Sequence, residues 1–224
     1  EENEILACDY SPDGSKFATA GKDMKVRIYD DSAKKFTQIL TKKGIEGLPG
    51  HSNRVFSVKF SREDPNLLAS GGWDQTIQIY DLRHDGPVRT IFGPYVCGDS
   101  VDVDNKEILV GSWRGHEQLQ LFDMGTGAHI HDYEWKNDEG NDIACCVYAA
   151  SFSRPYGEYV VAGGSNINQV RIFGRNGDNM ATINDLPKTV KSVDVSHDSK
   201  MIAFGTSDGK VRFLNIAKKP TDKQ

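Results

Sequence analysis

Histidine, serine, aspartate and cysteine are the residues through which this chain could do covalent or metal chemistry. Catalysis needs a nucleophile, a base and an orienting group within hydrogen-bond reach of one another. No Ser, Cys or His here lies in a nucleophile elbow, a phosphate-binding loop or an H-E-x-x-H helix. His129 and His131 stand two apart, so an extended strand puts both imidazoles on one side. A metal there needs a third ligand, and His116 would have to converge on the pair; without it they form a solvated edge pair. Asp13-Gly14, Asp85-Gly86 and Asp208-Gly209 are turn formers, not carboxylate dyads. Cys8, Cys97, Cys145 and Cys146 include a vicinal pair that cannot bridge itself without strain. They read as buried free thiols of a reducing compartment, the cytoplasm or alternatively the nucleus. No catalytic residue, metal or cofactor is expected.

Non-covalent recognition is better supplied. Trp73 follows Gly71-Gly72 in a tight turn, where an indole is hard to bury. With Phe56 and Arg54 it makes an aromatic-plus-arginine set of the kind that dominates interface energetics. The plainer alternative has Phe56 plugging the interior while Trp73 packs on a neighbouring loop. The 27 basic and 32 acidic residues leave a net charge of −5. That argues against nucleic acid or an anionic membrane as the main partner. No apolar run approaches the length of a membrane span, and no small-molecule substrate is expected.

These side chains must be positioned by strands. Between Gly50 and Gly93, Phe56, Val58 and Phe60 alternate with Val55, Ser57 and Lys59, the period of an extended chain. Asp64-Pro65-Asn66 turns the chain into Leu67–Ser70, Gly71–Asp74 turns it into Ile77–Tyr80, and Asp85-Gly86-Pro87 leads into Val88–Phe92. Four antiparallel strands in one short segment make a sheet with two apolar faces, which must stack on copies of itself. Copies recur. Third runs ending Tyr29-Asp30, Tyr80-Asp81, Phe122-Asp123, Phe173-Gly174 and Leu214-Asn215 are spaced by 51, 42, 51 and 41 residues.

Gly50-His51, the turn Asp74, the terminal Tyr80-Asp81 and this spacing resemble the WD40 family. The resemblance implies an all-β, WD40-type β-propeller with five recognisable blades over 1–217: blade one 1–49, two 50–93, three 94–142, four 143–186 and five 187–217, then a polar tail, 218–224. The chain opens on an inner strand, shows no fourth strand after Leu214 and does not begin with Met. It therefore reads as the C-terminal part of a seven-bladed ring, not closing by itself. The family's stabilising network maps onto His51, Ser70 and Asp74, with Tyr80 in place of the tryptophan; the other blades lack the histidine and are expected to lean on apolar stacking.

The resemblance also implies a non-enzymatic scaffold that binds a peptide or loop of a protein partner, within a multi-protein complex, on the top face. The matching positions are the inner-strand entries Leu6, Phe56, Asp99, Tyr148 and Lys191, with Arg54 and Cys146 nearby. Lys22, Trp73 and Ser207 come from the turns between second and third strands. An alternative lies in Leu68 to Arg83, which resembles the box of cullin-4 ubiquitin-ligase substrate receptors. There Asp81-x-Arg83 would meet an acidic adaptor.

Overall fold

The alternation in Val55–Phe60 becomes a strand because one side of it is wholly withdrawn from water while the other is partly wet: Val55, Val58 and Phe60 are buried, Phe56 and Lys59 half-buried. The computed structural model describes residues 3–40, 49–137, 139–155 and 157–216. Among the described residues, nineteen strands form five antiparallel sheets. The first holds β1 (Ile5–Tyr10), β2 (Lys16–Gly21), β3 (Val26–Asp30) and β4 (Lys35–Leu40); the second β5 (Val55–Phe60), β6 (Leu67–Gly72), β7 (Thr76–Asp81) and β8 (Pro87–Phe92). The third holds β9 (Val101–Asp104), β10 (Glu107–Gly111), β11 (Leu119–Asp123) and β12 (His129–Asp132); the fourth β13 (Cys146–Phe152), β14 (Tyr159–Ser165), β15 (Val170–Gly174) and β16 (Asn179–Ile183). The fifth holds β17 (Val190–Val195), β18 (Met201–Thr206) and β19 (Lys210–Asn215). The tail 218–224 and part of the expected loop after the first sheet, 41–48, lie outside the described residues.

Successive sheets stack face to face as propeller blades. Ala18, Val26 and Ile28 of blade one meet Val58, Leu68 and Tyr80 of blade two. Ile77 and Ile79 meet Val101, Ile108 and Phe122, and Leu121 and Trp135 meet Val160 and Phe173. Blade five joins through Val190, Ile202 and Phe204. The far faces of the end blades stay in solvent. On blade one a row of rings, Tyr10–Phe17–Tyr29–Phe36, crosses all four strands. On blade five Val211 and Phe213 are 65% and 67% exposed.

Polar groups stitch the inner strands together. Asp9 accepts the Phe60 N–H of the next blade at 2.8 Å, and Asp102 accepts the Phe152 N–H of the next at 2.9 Å. Arg62 spans three blades, donating to Asp102 (2.7 Å), Asp104 (3.1 Å) and the Ser153 carbonyl (3.1 Å). Arg175 holds Asp104 and Glu107 from the other side.

Three expectations change. Apolar stacking is not alone in blades one and five, where an arginine on the third strand takes the histidine's place: Arg27 binds the turn Asp23, and Arg212 the turn Asp208. His129 and His131 do not share a side. A bulge at Ile130 sets His129 opposite Phe122 and His131 opposite Leu121, so the rings face opposite sides of the sheet. His131 packs on Tyr133 and is no solvated edge residue. Cys8 is exposed, because β1 turns it to the uncovered face of blade one; Cys145 and Cys146 are buried, and burial pushes Cys145 up to about 12.

Candidate binding face

The inner strands are not regular ladders. β1, β5, β13 and β17 each slip register by one residue against the second strand, at Leu6, Phe56, Tyr148 and Lys191. A bulged residue is left out of the ladder and its side chain is re-aimed. These are the entry residues expected from the sequence, and Asp99 precedes β9 in the same place. The inner strands pack side by side in series, so the bulges gather at one rim of the propeller. Gly72 makes the bend possible: a Cβ there would overlap the carbonyl oxygen of Arg54, which instead accepts the Trp73 N–H at 3.0 Å.

Around this rim the rings form a strip. Phe56 and Trp73 lie 4.8 Å apart, Trp73 stacks with Tyr95 at 6.4 Å, and Tyr95 is followed by Trp113 at 6.4 Å. The Arg54 guanidinium sits over Trp73 at 5.5 Å, and the Lys191 ammonium over Tyr148 at 3.4 Å. Trp73 is half-buried, with its indole N–H donating to the Cys97 sulfur at 3.1 Å. It thus packs partly on the neighbouring loop while keeping the rest of its ring in solvent. Sequence reasoning missed Tyr95 and Trp113. Their signal was faint: both lie in stretches without alternation, ahead of and after short strands.

Other expected residues are placed differently. Lys22 is exposed and faces Glu4 at 3.8 Å, and Ser207 is exposed. Asp99 turns along the inner strand of blade two, accepting from Ser57 (3.1 Å) and Lys59 (3.3 Å). Burial would lower the Lys59 pKa, but Asp99, Asp9 and Asp102 outweigh it and raise it. Arg83 spends its fork on its neighbour, donating through Nε and Nη2 to Asp81 at 2.7 Å each. That bidentate bond is the chief cause of the lowered Asp81 pKa. An adaptor would have to displace it.

One arrangement has the outline of a hydrolase relay. Ser70 Oγ is 2.7 Å from His51 Nε2, and His51 Nδ1 is 2.8 Å from Asp74 Oδ2. Ser70, however, is wholly buried, so no substrate carbonyl can reach its oxygen. Asp74 also accepts from the Ser52 N–H and from Thr76. Burial pushes its pKa up, and these bonds with His51 more than reverse it. The buried Tyr80 hydroxyl lies beside Ser70 in no well-formed hydrogen bond. The trio is a staple of blade two.

The description "WD domain, G-beta repeat" matches three stretches of the sequence, 1–30, 42–81 and 177–215. Those three stretches are repeats of the WD40 type. Among WD40-related proteins, the chain is 26% identical over 218 residues to Protein SOF1 of Saccharomyces cerevisiae, across 94% of its length. It is 30% identical over 138 residues to COMPASS component SWD3 of the same yeast, across 58% of this chain. The chain spans 40% of the length of each of these relatives. Its fold is that of the β-propeller domain of Cps50 (Swd1) from Myceliophteria thermophila. The TM-score is 0.79 at 14% identity, covering 100% of this chain and 68% of that one.

Proposed function

We propose that this propeller is a non-enzymatic scaffold that holds a peptide or loop of a protein partner on the bulged rim, as part of a multi-protein complex. The observation that carries the reading is the strip Phe56–Trp73–Tyr95–Trp113 beside Arg54. Stacked rings that stay partly wet supply rigid apolar area at low entropic cost, the usual material of binding anchors. The relative named as a COMPASS component fits a role inside an assembly. The exposed or shielded free thiols fit a reducing setting, cytoplasmic or nuclear.

The test is affinity capture from cells, comparing wild type, a Phe56→Ala/Trp73→Ala variant and an Arg154→Glu variant on the opposite rim, with circular dichroism to establish folding. Proteins retained by wild type and by the Arg154 variant should be lost from the folded double variant. Equal capture by all three refutes the assignment of the rim.

A further inference from the structure

Resting on the rim as the binding face, we infer that its ligand is an acidic peptide segment. An apolar or aromatic side chain lies on the Phe56–Trp73–Tyr95 strip, and carboxylates on either side of it pair with Arg54 and Lys191. The balance of charge at the rim points this way. Six of its carboxylates are held in ion pairs: Glu4 by Lys22, Asp23 by Arg27, Asp74 by His51, Asp99 by Lys59, Glu117 by Arg114 and Asp208 by Arg212. Among the described residues Arg54 and Lys191 have no carboxylate. What they have is a ring face each, Trp73 and Tyr148.

A cation held on a ring keeps its donors available, and the planar guanidinium of Arg54 matches a carboxylate two bonds at a time. Burial pushes the Cys97 thiol up, and the Trp73 N–H and the Lys191 ammonium oppose it. The indole of Trp73 touches Cys97, and the backbone of Tyr148 abuts the adjoining Gly98, so Arg54 on Trp73 and Lys191 on Tyr148 flank one patch. A purely apolar segment would cover both charges without matching either, which costs affinity. A purely acidic one would leave the strip unused. A segment carrying both features answers both. Nucleic acid would also bring anionic charge and stacking bases. It needs a track of cations along its phosphates, whereas this chain carries a net charge of −5.

The experiment is selection of a random peptide library on the full chain. Enriched peptides are then synthesised with a fluorophore and measured by anisotropy, alongside an oligodeoxythymidine. We expect acidic residues on both sides of an aromatic or aliphatic one. Arg54→Gln and Lys191→Gln should each weaken binding about two- to fivefold, as partly exposed pairs do, and the double variant by about the product. Replacing the peptide's Asp and Glu with Asn and Gln should cost as much and abolish the effect of both variants. Neutral or basic selected peptides, an amide form that binds as well as the acid, or an oligonucleotide that binds as tightly through the same residues overturns the inference. Neutral peptides that still depend on Trp73 and Phe56 sink only the acidic specificity. A library with no Trp73-dependent binder sinks the rim as well.

Discussion

Replacing His131 with phenylalanine should stabilise the protein, and more so as the pH falls. The imidazole packs on Tyr133 with ring centroids 4.5 Å apart, and its Nε2 is buried without a hydrogen-bond partner. Four groups act on it: Glu107 and Asp132 favour the imidazolium, His129 and Arg175 oppose it. Glu107 is already claimed by Arg175 through Nε and Nη2. Burial is the largest influence, and the pKa lies below the ordinary histidine value. In the unfolded chain the ring takes up a proton near about pH 6.5, before the folded ring does. Stability is therefore full above that pH and is lost as the pH falls through it towards the folded value. Phenylalanine keeps the ring contact and removes both the unsatisfied nitrogen and the titration. An unsatisfied buried group costs roughly 1–3 kcal/mol; for a half-buried ring the low end applies. The variant should gain about 1 kcal/mol at about pH 8, or about 2–4 °C in melting temperature for a chain of this size. Urea unfolding of both proteins at about pH 8 and about pH 5.5 measures the gap, in which the other histidines cancel. A variant less stable than wild type at the higher pH, or a gap that does not widen at the lower, refutes the reasoning.

Asp74→Asn leaves His51, the Ser52 N–H and Thr76 facing an amide in place of a carboxylate; about 3 kcal/mol should be lost at neutral pH, read from the urea midpoint. Because the folded Asp74 pKa is depressed, that difference is present above about pH 4, the unfolded carboxyl value. It should shrink as the pH drops through the folded pKa. Gly72→Ala sets a Cβ against the Arg54 carbonyl, backbone that cannot step aside; it should destabilise by about 2 kcal/mol or more and weaken binding at the rim, measured by thermal melting and anisotropy. Asp102→Asn removes the charge facing Arg62 and sets an amide NH2 against donors on one side, either the Val103 N–H on Oδ1 or Arg62 and the Phe152 N–H on Oδ2. About 2 kcal/mol should go, with hydrogen exchange accelerated first in β9 and β13.

Strands were the legible part, since period-two alternation and turn residues such as Asp64-Pro65-Asn66 and Asp208-Gly209 are local signals that stacking reinforces. Offsets of a single residue were not legible. Two-apart spacing placed His129 and His131 together, and one bulge at Ile130 separates them. The Arg27–Asp23 and Arg212–Asp208 pairs were equally hidden, because nothing in a strand's pattern says which turn its side chain will reach. The candidate site was legible only through the family resemblance and not through periodicity, for a related reason. The ladder positions around it are held by packing: Val55, Val147 and Val190 stand just before the bulges, and all are buried. The bulged positions between them are Leu6, Phe56, Tyr148 and Lys191, four residue types in four blades. Phe56 packs partly on the core between blades two and three, but the fold sets no common residue type at these positions, so their chemistry is free to answer a ligand. A bulge is thus both what sequence periodicity cannot see and what lets a repeated scaffold carry an unrepeated site. Its residues should tolerate exchange for one another with little loss of stability while changing what the rim binds. Lys191→Phe, at an exposed bulge, with thermal melting and library selection side by side, puts that separation to the test: unfolding on exchange, or an unaltered choice of peptide, would tie the bulge to the core instead.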